Sequence, residues 1–318
     1  MVDITATDRL LALFVAAVST GMYLCTFFYC IRWLVYTDEG WKIRKGIDKI
    51  MLSGTLAIFV MSSIHTSLAV STSFAAIQDL EGGVPTNHAA PLSWTAVVMC
   101  TVTNTVVLIA DGFLIYRCWL VCLKSFPKII FPCFFWVGGL VCTLLQIYWQ
   151  VVQSAVILSV WTPVNMTIGP GTILTPFWGS TIVVNIYSTS VIVYTLWKTA
   201  RVQFTHSASE CMVELRFIMR VLIESGALYL VITIPHFIVW WTQSSLAILI
   251  LGWTNLPVVG SAFNLILIRT SWHRAKEDSV EESVISAMSA MHFSLPNSHS
   301  NTFRAKADIF STSSSVGI

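Results

Sequence analysis

The sequence predicts an all-α membrane protein, a bundle of seven transmembrane helices with its N-terminus outside and its C-terminus in the cytoplasm. Three observations lead there. Of 318 residues, 55% are hydrophobic and 11% charged, against about 25% charged in soluble domains. The apolar residues fall into seven runs long enough to cross a bilayer, which takes about 20 residues in a helix. The basic residues between those runs alternate from one connection to the next, as they do when Lys and Arg mark the cytoplasmic side.

The spans are predicted near 10–31, 50–73, 92–116, 130–156, 176–197, 217–241 and 246–268. Asp3, Asp8 and Arg9 give no basic n-region, so the first apolar run reads as a span and not as a cleaved leader. The first connection carries Arg32, Lys42, Arg44, Lys45 and Lys49. The third carries Arg117, Lys124 and Lys128, and the fifth carries Lys198, Arg201 and Arg216. The second, fourth and sixth hold neither Lys nor Arg. The last two spans are separated only by the polar joint Thr242 to Ser245. The organisation expected is an extracellular N-terminus (1–9), a helix bundle (10–276) and a cytoplasmic tail (277–318). That tail is rich in Ser and Thr and reads as disordered.

The fourth connection, placed outside by the charge rule, contains the sequon Asn165-Met166-Thr167, so Asn165 is a candidate glycosylation site. Tyr148, Trp149, Trp161, Trp178, Trp240 and Trp241 cluster at predicted outer ends, where amphipathic rings form interfacial belts. The eight cysteines show no metal-binding spacing and read as apolar filler. Cys118 and Cys122 sit at an inner helix end, where palmitoylation occurs.

Ionisable side chains within a span cost several kcal/mol unless paired or hydrated. Asp111 in the third span, and Arg220 and Glu224 in the sixth, therefore require an account. Arg220 and Glu224 are four apart and share a helix face. Asn264 lies at compatible depth in the seventh span, and Arg117 at the inner end of the third. The expectation is an inner polar lock of Asp111, Arg117, Arg220, Glu224 and Asn264, either a static cluster that fixes packing or a latch that frees the sixth helix, with Pro235 as hinge. His65, His236, Gln146 and Gln150 lie toward the outer side and are candidate lining for an outer cavity. Asn104 is seven residues from Asp111, on the same face of the third span. His65 and His236 are about 15 Å in depth from Asp111, too far to share a metal ion. No metal, cofactor or catalytic residue is expected, and the chain is read as not an enzyme. It has no P-loop, no GxSxG elbow, no selectivity-filter motif and no lysine in the seventh span for a retinal linkage.

Three stretches carry a resemblance. Ala110-Asp111-Gly112-Phe113-Leu114-Ile115-Tyr116-Arg117-Cys118-Trp119, Ile223-Glu224-Ser225-Gly226-Ala227-Leu228-Tyr229 and Ala262-Phe263-Asn264-Leu265-Ile266-Leu267-Ile268-Arg269 resemble the shared segments of a group of uncharacterised seven-span proteins of basidiomycete fungi. The resemblance covers about residues 10–275. It implies topology and a fungal membrane setting, and no reaction. In span count and direction the chain is also similar to G-protein-coupled receptors. However, Tyr116-Arg117-Cys118 departs from their Asp-Arg-Tyr motif and Asn255-Leu256-Pro257 from Asn-Pro-x-x-Tyr. The expected function is receptor-like: a small molecule or lipid bound from outside and a signalling protein engaged by the cytoplasmic loops. A transporter or channel-like carrier is the alternative, and a membrane-embedded lipid-acting enzyme ranks last. The expected partners are thus the lipid bilayer, such a ligand and such a signalling protein, with no nucleic acid. The expected location is the plasma membrane or another membrane of the secretory pathway.

Overall fold

The computed structural model describes residues 5–36, 49–81, 94–123, 125–152, 170–203, 209–242 and 245–293. Every element among them is an α-helix: α1 (Ala6–Val35), α2 (Lys49–Glu81), α3 (Trp94–Val121), α4 (Pro127–Val152), α5 (Pro170–Gln203), α6 (Ser209–Val239) and α7 (Ser245–Phe293). Each predicted span overlaps one of these helices, with positions 92–93 and 153–156 outside the described residues. All seven contain a stretch long and apolar enough to cross a membrane. The shortest, Met219–Val239, rises about 30 Å, the thickness of the hydrocarbon layer.

The helix ends follow local chemistry. Thr5 caps α1 through a reciprocal pair: Asp8 N–H donates to Thr5 Oγ1 at 3.2 Å, and Thr5 N–H to Asp8 Oδ2 at 2.9 Å. Leu123, with φ at 53°, turns the chain out of α3. Pro132, Pro176, Pro235 and Pro257 lie inside α4, α5, α6 and α7, so Pro235 does not end its helix. The polar joint before Ser245 is where α6 gives way to α7.

The chain divides after Ser271 into the bundle and a C-terminal unit. In the latter, helix continues to Phe293, past Glu277, where the sequence predicts the start of the tail. From Lys276 to Leu295 there is neither Gly nor Pro, while Glu, Ala and Met recur, and these residues favour helix. Residues 294–318 lie outside the described residues, as does the sequon at Asn165.

Within the bundle, α7 and α3 are the most enclosed: 67% and 50% of their apolar windows are buried, against 22% for α1. Phe27 of α1 stacks on Phe59 of α2 at 4.2 Å, and Phe113 of α3 meets Phe263 of α7 at 5.1 Å. Gly260 lets α7 approach α1: a Cβ there would lie 2.6 Å from the Tyr23 ring. The outward faces carry exposed Phe14, Phe28, Phe134 and Val231, the surface that lipid tails cover. "Near end" below denotes the end of the bundle where α1 begins, and "far end" the other.

Candidate functional site

The polar residues of α3, α5 and α6 form a seam through this apolar bundle, with two small cavities along it. Early residues of α3, α5 and α7 meet late residues of α4 and α6 at the first cavity, as antiparallel succession requires. It lies toward the near end, measures about 30 Å³, and is lined by Asn104, Gln146, Trp178, His236, Trp240 and Gly252 among others. Asn104 Nδ2 donates to Gln146 Oε1 at 2.6 Å, joining α3 to α4. The His236 ring lies between two indoles, 4.4 Å from Trp178 and 6.2 Å from Trp240.

Of the residues expected at an outer cavity, Gln146 and His236 line this one. Gln150, one turn beyond Gln146, is fully buried but outside the lining, and buried His65 on α2 does not reach it. Trp178 and Trp240, expected in an interfacial belt, are buried cavity walls, whereas Tyr148 and Trp241 are exposed as a belt requires. Periodicity could not separate these two pairs, because a helix end presents every face to the same depth of bilayer.

Asp111 lies one turn past the middle of α3 and is 4% exposed. Thr181 Oγ1 of α5 donates to its Oδ2, and the Tyr229 hydroxyl of α6 donates to its Oδ1 at 3.4 Å. The two hydroxyls are themselves 3.1 Å apart. Three helices therefore meet at one carboxyl group. The cost of burying that group is offset by hydroxyl donors. A second cavity of about 40 Å³ adjoins the triad, lined by Asp111, Asn185, Thr189, Ser225, Tyr229 and Phe263 among others. A site of that size holds two or three waters when polar groups line it. The sequence does not single out Thr181, and Tyr229 enters it only as the end of a resemblance segment. Both are common span residues, and their only signal was helical spacing, from Thr181 to Asn185 and from Tyr229 to His236.

Of the residues expected to form a lock, Asp111, Glu224 and Asn264 each take a different partner. Asp111 joins Thr181 and Tyr229. Glu224, 56% exposed, pairs with Arg269 of α7 at 3.8 Å. Arg220 is exposed on the same face of α6 as Glu224, and Arg117 is half-buried near the end of α3. Asn264 turns to α1, where its Nδ2 reaches Thr26 Oγ1 at 3.4 Å. The reason is rotational. One residue advances a helix by about 100°, so Ser225 and Tyr229 face inward while Glu224 faces out. Cys118 and Cys122, considered for palmitoylation, are buried against Ile192 and Leu222. Among the described residues no three His, Cys, Asp or Glu side chains converge as metal ligands would.

Fold and seam define the class: an integral membrane protein that, among the described residues, is all-helical, with seven helices able to span the bilayer and an interior polar seam. No protein-family model matches the chain, and no curated protein matches it.

Proposed function

We propose that the protein is a receptor-like membrane protein whose near end faces outward, binding a small molecule or lipid at the near-end cavity and signalling to a cytoplasmic protein through its basic loops. The observation that carries this reading is the layout of α6. His236 lines the cavity and Tyr229 bonds Asp111. The two are seven residues apart on one helix face, with Pro235 between them. A ligand that moves His236 thus acts across the Pro235 hinge on the helix that supplies Tyr229 to the triad, a two-state element of the kind that signalling needs. Orientation rests on the alternation of basic residues; location in the plasma membrane or another secretory-pathway membrane is part of the same proposal. The fungal resemblance supports the same topology.

The test is ligand-dependent recruitment of a cytoplasmic protein by the intact chain, compared with Tyr229→Phe and Thr181→Val. These variants should change basal recruitment while ligand binding persists. Unchanged recruitment in both would remove the triad from the reading. A glycan on Asn165 and end tags in opposite compartments test the orientation.

One observation favours a second reading, a transporter. Two cavities lie along one seam, one toward the near end from Asp111 and one lined by Asp111 itself. Solute flux into vesicles that is lost in Asp111→Asn would establish it over the receptor.

A further inference from the structure

The near-end cavity has an unusual inventory of hydrogen-bonding atoms. Among the described residues, the Nε1 atoms of Trp178 and Trp240, Nε2 of Gln146 and Nδ1 of His236 are buried without a partner. All four side chains are at least nine-tenths buried and line the same space. Buried polar groups are ordinarily satisfied, and each unsatisfied one carries a desolvation cost.

The first three of these atoms are obligate N–H donors. Acceptors are scarce. Gln146 Oε1 already accepts from Asn104; Thr103 Oγ1 donates to the Met99 carbonyl at 2.9 Å, and none of the three N–H groups reaches either oxygen. Neutral His236 gives its one N–H to the Leu251 carbonyl, which leaves Nδ1 as a bare acceptor nitrogen. No Asp, Glu, Lys or Arg lines the cavity, so a fully charged group buried there would lack a counter-charge, a cost of several kcal/mol. The volume of about 30 Å³ holds roughly two waters, far below the roughly 300 Å³ of a site for a whole drug-sized molecule.

We infer that this cavity recognises an uncharged oxygen head group, a hydroxyl or carbonyl carried on an apolar chain, with the head's oxygen accepting from the Trp178, Trp240 and Gln146 N–H groups. A carbonyl satisfies the donors; a hydroxyl also gives its proton to the bare imidazole nitrogen. The Trp178 and Trp240 indoles on either side of the His236 ring, with Leu174 beside them, supply the apolar wall for the first carbons of the chain. The inference rests on the ligand-binding part of the receptor reading and adds the chemistry of the ligand.

The test uses the full chain in lipid nanodiscs with three probes of matched length: octane, 1-octanol and 2-octanone labelled with ¹³C at the carbonyl. Tryptophan fluorescence reports occupancy, and the labelled carbonyl stretch reports hydrogen bonding. Both oxygenated probes should bind saturably and at least about tenfold tighter than octane, a factor equal to about one net hydrogen bond. The bound carbonyl stretch should move to lower frequency. Trp178→Phe and Trp240→Phe keep a ring and remove a donor, and each should weaken 2-octanone by roughly three- to tenfold and move the stretch part-way back. Gly252→Val, which fills the cavity, should abolish binding. The tighter of octanol and octanone tells whether hydroxyl or carbonyl is preferred, and either result supports the inference. If octane binds as tightly, or both Trp→Phe variants bind 2-octanone unchanged, head-group recognition is overturned while ligand binding at this cavity stands. If no probe saturates, or binding survives Gly252→Val, the cavity is no site for such ligands, and the inference and its parent reading fall together.

Discussion

Glu224 on α6 and Arg269 on α7 pair at 3.8 Å, with 56% and 39% of their side chains exposed. The charged face of α6 is therefore directed away from Asp111, whose partners are the hydroxyls of Thr181 and Tyr229. The bundle thus separates an exposed ion pair from a buried carboxyl group, and the two should behave differently.

The exposed pair should matter little to stability. In a double-mutant cycle of Glu224→Gln and Arg269→Gln, the coupling energy should be about 0.2–1 kcal/mol and should fall with added salt. Unfolding of the purified protein in mild detergent measures it. A coupling of several kcal/mol would mean that the pair is desolvated after all.

The buried triad should matter more. Thr181→Val leaves part of the Asp111 carboxyl group unsatisfied and should cost about 1–3 kcal/mol. Tyr229→Phe should cost less, because its bond to Asp111 is the longer at 3.4 Å. The two losses should not add in the double variant, since all three groups share one network. Strict additivity in the same unfolding assay would refute the network.

Close approach of α7 to α1 should depend on Gly260. Gly260→Ala places a methyl group against the Tyr23 ring and should cost about 1–3 kcal/mol through overpacking. Tyr23→Leu should recover part of that loss in the double variant, although Tyr23→Leu alone is destabilising. Thermal unfolding of the four proteins decides the matter: absence of recovery would show that the clash is not with Tyr23.

Thiol labelling should separate the cysteines by burial. Cys25 is exposed on the bundle surface, whereas Cys118 and Cys122 are buried. A membrane-permeant maleimide should modify Cys25 slowly in the native protein, because its thiol faces hydrocarbon and the thiolate is the reactive form, and should reach Cys118 and Cys122 only after unfolding. Mass spectrometry of peptides reads both. Palmitate found on native Cys118 or Cys122 would contradict their placement.

Not all of the site was hidden in the sequence. Asp111, Asn104, Gln146 and His236 stood out as polar groups in apolar spans, and the structure places all four on one seam. Thr181, Tyr229, Trp178 and Trp240 were not recognised as seam residues. Thr and Tyr are unremarkable in a span, and an aromatic at a helix end reads equally well as a belt residue. Grouping Glu224 and Asn264 with Asp111 rested on depth, and depth does not fix rotation about the helix axis.

The sequence by itself determined seven apolar runs, because hydrocarbon admits a backbone only when its hydrogen bonds close within the helix, and each such run needs about 20 apolar residues. It also settled which interior polar residues need explaining. Only the tertiary structure decided their partners: Thr181 and Tyr229 for Asp111, Thr26 for Asn264, Arg269 for Glu224. The physical reason is that span length and depth are properties of one helix, set by hydropathy along it. Partnership depends on the rotation and approach of neighbouring helices, which side-chain packing fixes across the bundle.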